Sequence, residues 1–347
     1  MAKQAYVYSG TDWVPLASEV TNLSGYQTKA LNQFPYRNLL INGAMQVAQR
    51  STSVTGSTTN GYKTVDRFAY IIGTQGTWTH TVENDAPTGS GFRKSAKTLC
   101  TTADASPGND DVLLFVQPIE GQNLQAIRKG TANAQQLTLS FWVKANVTGT
   151  YIAEISDEDN TRQVSLAYTI NSSATWEKKT IVFPADTTGV LDNDNAGSLT
   201  LVFWLGGGST WTSGTLNTNW NTQVNANRAV GQVNLAAATN NYWQITGVQL
   251  EVGSVATEFE FKPITQELQE CYRYFYNHLG VNIHAAEYGS GAVWIGNFQN
   301  VVPMRAAPTV TITAGNGVVG LAGIHSWYFT RGSGGTFVNF FTSDSEL

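Results

Sequence analysis

Residues 136–145 read QLTLSFWVKA. Successive side chains of an extended strand point to opposite faces, so Leu137, Leu139, Phe141 and Val143 share one side and Thr138, Ser140, Trp142 and Lys144 the other. An apolar face backed by a polar one marks a half-buried strand of an antiparallel sheet. The same period of two recurs in QVSLAYTI, residues 163–170, where Val164, Leu166, Tyr168 and Ile170 face one way. SLTLVFWL, residues 198–205, is apolar on both sides, which predicts a central strand covered twice.

Further strand-like stretches lie on either side: VDRFAYII, TWTHTVE, SAKTLCTT, VLLFVQPIE, TYIAEIS, WEKKTIVF and YWQITGVQLEV, separated by turn residues. This rhythm predicts an all-β chain, an antiparallel jelly-roll sandwich over residues 37–262, followed by one short helix and a small C-terminal β domain. Within the sandwich, GQNLQAIRKG offers about two helical turns. Residues 206–236 read as a long irregular loop, a kind that is usually functional or mobile.

The pattern changes at Pro263, which stops a sheet. From Thr265 to Leu279, Leu268, Tyr272, Phe275 and Leu279 fall on one helical stripe, with Thr265 as N-cap and Glu267 in the first turn. A neck over 263–279 with this many aromatics exceeds what one side of a sandwich buries, so Tyr272, Phe275 and Tyr276 are assigned to a subunit interface. Residues 280–347 form a small β tip that is marginal as an independent fold. At the other end, Tyr6–Tyr8 and Trp13–Val14 flank SGTD as a hairpin; residues 1–36 then read as hairpin and linker in need of a partner.

Charged residues make up only 13% of the 347, about half the usual share, while Trp (10) and Tyr (14) are plentiful. A net charge of −5 supplies no basic field for nucleic acid. Cys100 and Cys271 are too few for a disulfide scaffold and too far apart for a zinc site, and read as buried thiols made in a reducing compartment. No leader-like apolar run and no stretch of membrane-spanning length is present in the sequence. An extracellular kind of surface with a cytoplasmic kind of biosynthesis suits a virus particle assembled in a host cytoplasm and released by lysis.

Glycan cleavage needs two carboxyl groups set across a cleft. The acids here are scattered, and those of SDEDN and LDNDN sit in turn contexts. Asp192 and Asp194, with Asn193 and Asn195, offer oxygen ligands for calcium but lack the rest of an EF-hand loop. His80, His278, His284 and His325 show no ligand spacing, and no nucleophile elbow or P-loop appears. The expectation is a chain without enzymatic activity, cofactor or metal. Sugar binding is the sharper candidate: Trp142 stands on a polar strand face, and Trp211 and Trp220 lie in the long loop, where indoles can stack on pyranose C–H faces. The competing use of all three is to cover a sheet face or fill a subunit interface.

Three stretches carry a family resemblance. RNLLINGAMQVAQRSTS with YKTVDRFAY resembles the opening of a family of bacteriophage tail-fibre and virion-surface domains. VQLEVGSVATEFEFKPITQELQECYRYF resembles that family's domain end, and VVPMRAAPTVTI a segment that follows it. The resemblance spans Arg37 to Ile312 and has the flavour of phages of marine or cyanobacterial hosts. It implies a jelly-roll similar to carbohydrate-binding modules, a virion location, and a structural role in tail fibre or surface appendage with host-glycan recognition during adsorption. It also implies a homotrimer, with AYVYSGTDWVPLA similar to segments that attach to other virion proteins. The alternatives are an architectural capsid or baseplate decoration and a polysaccharide depolymerase. No nucleic-acid partner and no membrane insertion are expected.

Overall fold

The computed structural model describes residues 6–8, 13–15, 36–284, 286–288, 293–314, 318–331 and 337–347. Its strands are β1 (Tyr6–Tyr8), β2 (Trp13–Pro15), β3 (Ser53–Ser57), β4 (Gly61–Tyr62), β5 (Ala69–Gly73), β6 (Thr77–Glu83), β7 (Ser95–Thr102) and β8 (Val112–Glu120). They continue as β9 (Leu137–Ala145), β10 (Gly149–Asp157), β11 (Arg162–Ile170), β12 (Glu177–Phe183), β13 (Gly197–Gly207), β14 (Asn221–Thr222) and β15 (Tyr242–Val252). A single-turn helix α1 (Ser209–Thr212) follows β13, and α2 (Ile264–Tyr272) follows β15. The C-terminal strands are β16 (Phe275–His284), β17 (Ala286–Tyr288), β18 (Val293–Gln299), β19 (Thr309–Ala314), β20 (Val318–Ala322), β21 (Ser326–Arg331) and β22 (Phe337–Asp344).

Two antiparallel sheets face each other, as the alternating pattern requires. One has the order β14-β11-β10-β13-β8-β5-β4, the other β12-β9-β15-β7-β6-β3. Their inner faces form one core that includes Phe115, Leu139, Phe141, Val143, Tyr168, Phe203 and Trp243. The jelly-roll sandwich expected from period two is therefore present, with β6, β7, β8 and β15 bounded as the sequence stretches were. β1 and β2 pair as a hairpin, Val7 opposite Val14; the SGTD turn between them lies outside the described residues.

β13 is central, between β10 and β8, and is covered on both sides. Leu199, Leu201, Phe203 and Leu205 enter the core, and Val202 and Trp204 enter a second apolar cluster on the outer face. The long 206–236 segment does that covering. It folds back over the seven-stranded sheet and seats Trp211 and Leu216 against Val112, Leu114, Ile152 and Trp204. Arg228 pins it, with Nη2 2.6 Å and Nε 3.0 Å from the fully buried Glu154 carboxylate, which also accepts from Trp204 Nε1 at 2.9 Å. The stretch that reads as an open loop is thus a packed third layer.

The helix after Pro263 is shorter than its sequence stripe. α2 begins at Ile264 with Pro263 as N-cap, which places Thr265 inside the first turn, and it ends at Tyr272 rather than Leu279. Tyr, Phe, Asn and His are weak helix formers, and aromatic residues suit a pleated surface. From Phe275 the chain accordingly becomes β16, paired with β22 from Phe275–Asp344 to His284–Phe337. The aromatic surplus is partly absorbed within the chain. Tyr274 is buried, its hydroxyl donates to Glu120 Oε1 at 2.5 Å, and the Arg67 guanidinium lies 3.4 Å from its ring centroid. Phe275 is buried beneath Arg50, 3.5 Å from its centroid. Tyr272 and Tyr276 remain half-buried, with ring centroids 4.3 Å apart.

The C-terminal strands form a three-stranded sheet, β16-β22-β19, and a four-stranded one, β17-β18-β21-β20. Trp327 and Phe341 centre their small core, with Phe298, Val310 and Ile312 against them. This unit returns to the sandwich through its last residues. Asp344 and Glu346 pair with Arg50 at 3.0 and 3.3 Å, Glu346 also pairs with the buried Arg67, and Tyr62 Oη donates to Leu347 O at 3.1 Å.

Candidate functional site

The outer face of the six-stranded sheet carries half-buried aromatic rings among polar groups. Because Leu139, Phe141 and Val143 point into the core, Ser140, Trp142 and Lys144 point outward. Register then places their neighbours. Trp142 on β9 faces Lys178 on β12 and Thr246 on β15. One step along, Lys144 faces Gln244, which faces Lys97 on β7, which faces Thr81 on β6. Glu177 faces Val143, so Trp176, the residue before β12, comes beside Lys144, and the Lys144 Nζ is 5.1 Å from the Trp176 ring centroid. Two indoles and two lysines thus alternate along and across β9 and the start of β12, the two indoles lying on one diagonal, about 7 Å apart for same-face diagonal neighbours.

Asp85, on the connection after β6, reaches into this patch. Its carboxylate accepts from Lys144 Nζ, from Trp176 Nε1 at 3.2 Å and from Gln244 Nε2 at 3.3 Å. Burial alone would raise the Asp85 carboxyl, but the hydrogen bonds from Lys144 and Trp176 outweigh it and hold it below the ordinary carboxylate value. Its backbone carbonyl accepts from Ser95 Oγ at 2.5 Å and shares Gln244 Nε2 at 3.3 Å with the carboxylate. Gln244 Nε2 also donates to Ser95 Oγ at 2.7 Å. At the far edge Lys97 Nζ lies 5.1 Å from the Tyr242 ring centroid. Such a surface offers flat apolar rings for stacking and fixed donors and acceptors for hydroxyl groups.

The three tryptophans singled out from sequence occupy three different places. Trp142 belongs to this face. Trp211, on α1, packs at 5.7 Å on Trp204 beneath Arg228, and its Nε1 donates to Asp110 O at 3.3 Å. Trp220 packs against the main core, donates to Pro184 O at 2.8 Å and stands 4.9 Å from Lys129 Nζ. Trp176, Lys144, Asp85 and Lys178 complete the face and were not singled out. Trp176 had a local signal, as the first residue of WEKKTIVF, but Asp85 had none.

Several of the other groups weighed from sequence are tied into the fold; the His284 side chain lies outside what the structure describes. Asp194 Oδ1 accepts from Ala196 N at 2.9 Å and closes a turn, while Asp159 Oδ2 accepts from Asp192 N at 2.8 Å and ties two connections together. Among the described residues no group of three or more His, Cys, Asp or Glu is placed to hold a metal ion. His80 stacks on Tyr70 at 3.7 Å and His278 on Phe341 at 3.8 Å; burial lowers both to about 3, which keeps the rings neutral. Cys100 and Cys271 are free and buried. A cleft of about 540 Å³ lies between β8 and α2, but its charged walls are already paired, Arg273 with Glu120 and Lys262 with Glu270, both at 2.7 Å.

No protein-family model matches the sequence, and no curated protein matches it. Among solved structures, the enzymatically active domain of bacteriophage CBA120 tailspike protein 4 is 17% identical at a TM-score of 0.34; the match covers 63% of this chain and 22% of that one, about a fifth of the tailspike's length. A family 4 carbohydrate-binding module is 14% identical at a TM-score of 0.30, covering 61% of this chain and 97% of the module. The Clostridium thermocellum family 11 module in complex with a β-1,3-1,4-mixed-linked tetrasaccharide is 10% identical at 0.30, covering 59% and 97%. At such scores the likeness does not bear on ligand or partner.

Proposed function

We propose that this chain is a non-enzymatic, glycan-recognising structural protein of a phage particle, a tail fibre or surface appendage acting in host adsorption. The observation that carries the recognition role is the outer face of the six-stranded sheet, where Trp142 and Trp176 alternate with Lys144 and Lys178 around Asp85. The particle role rests on the resemblance of the three quoted stretches. Rings stack on the apolar faces of a sugar, and Asp85, Gln244 and the lysines satisfy its hydroxyls. Trp211 and Trp220 are tied to the chain's own packing and serve stability instead.

A glycan array with the wild type and with Trp142→Ala, Trp176→Ala, Trp211→Ala and Trp220→Ala tests this. The first two lose binding while keeping the wild-type melting profile; the last two lower stability. A wild type that binds nothing, or Trp142→Ala and Trp176→Ala variants that bind as well as it does, refutes the assignment. Released reducing ends on incubation with host polysaccharide would make it a depolymerase. Trimeric assembly remains part of the proposal, with the half-buried Tyr272 and Tyr276 pair as contact; a monomer in sedimentation equilibrium at micromolar concentration would exclude it.

A further inference from the structure

Three donors from three separate segments converge on a single carboxylate: Lys144 Nζ from β9, Trp176 Nε1 from just before β12 and Gln244 Nε2 from β15, all on Asp85. Two of the three come from positions that the sheet register fixes, so this seat belongs to the sheet and not to the connection that bears Asp85. The Asp85 side chain is about half exposed, at 49%, whereas that of Lys144 is 14% exposed. The Asp85 backbone is also fastened outside the seat, its carbonyl accepting from Ser95 Oγ at 2.5 Å, so rotation of the side chain alone vacates the seat. Beside it stands Lys178, exposed, directly opposite Trp142, and without an ion-pair partner among the described residues. Lys97 is only loosely opposed by Glu83, at 3.9 Å. A chain of net charge −5 therefore presents three lysines on one aromatic face.

We propose that the ligand of this face is an acidic glycan, one whose repeating unit carries a sugar carboxylate, and that this carboxylate takes the seat Asp85 fills in the free chain. This rests on the glycan-binding reading of the same face and adds the class of sugar. Asp85 acts as a tethered competitor. The incoming carboxylate accepts from Lys144, Trp176 and Gln244, Lys178 supplies the charge that makes the exchange favourable, and Trp142 stacks on the ring that bears it. A neutral sugar gains stacking but leaves Lys178 without a counter-charge.

The test uses the full chain on an array in which each acidic polysaccharide is printed in its native form and with its carboxyl groups reduced to alcohols. Reduction weakens binding by about tenfold, the scale of one charge-assisted contact. Lys178→Ala gives a similar loss on native forms only, and Asp85→Ala gives a several-fold gain on native forms only. Equal binding to native and reduced forms overturns the acidic ligand and leaves glycan recognition standing; binding to neither overturns both. A second readout follows the Trp176 indole N–H resonance in the Asp85→Ala variant. Millimolar glucuronate shifts that resonance and glucose does not; a resonance indifferent to glucuronate overturns the seat.

Discussion

Replacing Arg228 by alanine asks how the third layer is held. Glu154 has no exposed surface, and its carboxylate accepts from Arg228 Nε and Nη2, Trp204 Nε1 and, at 3.3 Å, Ser165 Oγ. Without Arg228 it keeps two neutral donors and loses its counter-charge. Breaking a buried pair on one side costs about 3–5 kcal/mol. Arg228 is 13% exposed, so water supplies part of the compensation and the lower end, about 3 kcal/mol, applies. That is roughly a hundredfold in the equilibrium for lifting residues 208–236 off the sheet. Amide exchange reads it directly at Gly214, Asn217 and Ala229, whose N–H groups bond Ala226 O, Asn227 O and Trp211 O within the layer. Their exchange rises about a hundredfold, while amides in β9 and β15 stay protected. The pair Arg228→Met with Glu154→Gln recovers most of that loss, because no charge is left buried and the amide oxygen still accepts from Trp204 Nε1. A single variant whose three amides exchange within a few-fold of wild type would show that the ion pair does not hold the layer. A double variant as labile as the single one would refute the buried-charge account.

Asp66 is buried against Gln49, and burial raises its carboxyl to about 6. Its folded value lies above its unfolded one, so its contribution is present below about pH 4 and is lost as pH rises through 6; Asp66→Asn flattens that part of a urea-midpoint profile, and an unchanged profile contradicts the assignment. Glu120 runs the other way. Burial pushes it up, but Arg273 and Tyr274 hold it below its ordinary value, so its contribution is lost as pH falls below the usual carboxylate range. Tyr274→Phe removes one donor from Glu120 and costs about 2 kcal/mol in urea unfolding; a loss under about 0.5 kcal/mol would mean that Arg273 alone suffices. Gly247 has φ of +63° and a Cβ there would stand 2.5 Å from the Phe92 ring, so Gly247→Ala lowers stability by more than about 1 kcal/mol. A neutral result would show that Phe92 gives way freely.

What the sequence disclosed was local. Period two and turn residues placed β6, β7, β8 and β15 residue for residue, because both signals lie within the strand itself. The doubly apolar SLTLVFWL announced a strand with two covered faces, though not that Trp211, Leu216 and Arg228 would cover the second. The α2 stripe misled because Phe275 and Leu279 satisfy the helical period and also the strand period. β22 decides between them from more than sixty residues downstream. At the candidate site, Trp142 was legible from its polar strand face. Asp85 was not: its partners lie 59, 91 and 159 residues away, and only the finished sheet brings them together.

The position of β15 sets when that sheet can exist. It lies between β9 and β7, and among the described residues no other strand joins β12-β9 to β7-β6-β3. During synthesis the ribosome therefore releases two half-sheets that have no hydrogen bonds to each other. Trp243 must then find Thr98 and Ala145, laid down about 145 and 98 residues earlier. Pairings that distant are slow to close, and until they do the edges of β7 and β9 stand open to other chains. Copies made together would meet through those edges, so the completion of Tyr242–Val252, and not only the stability of the finished sandwich, is expected to set how much chain folds.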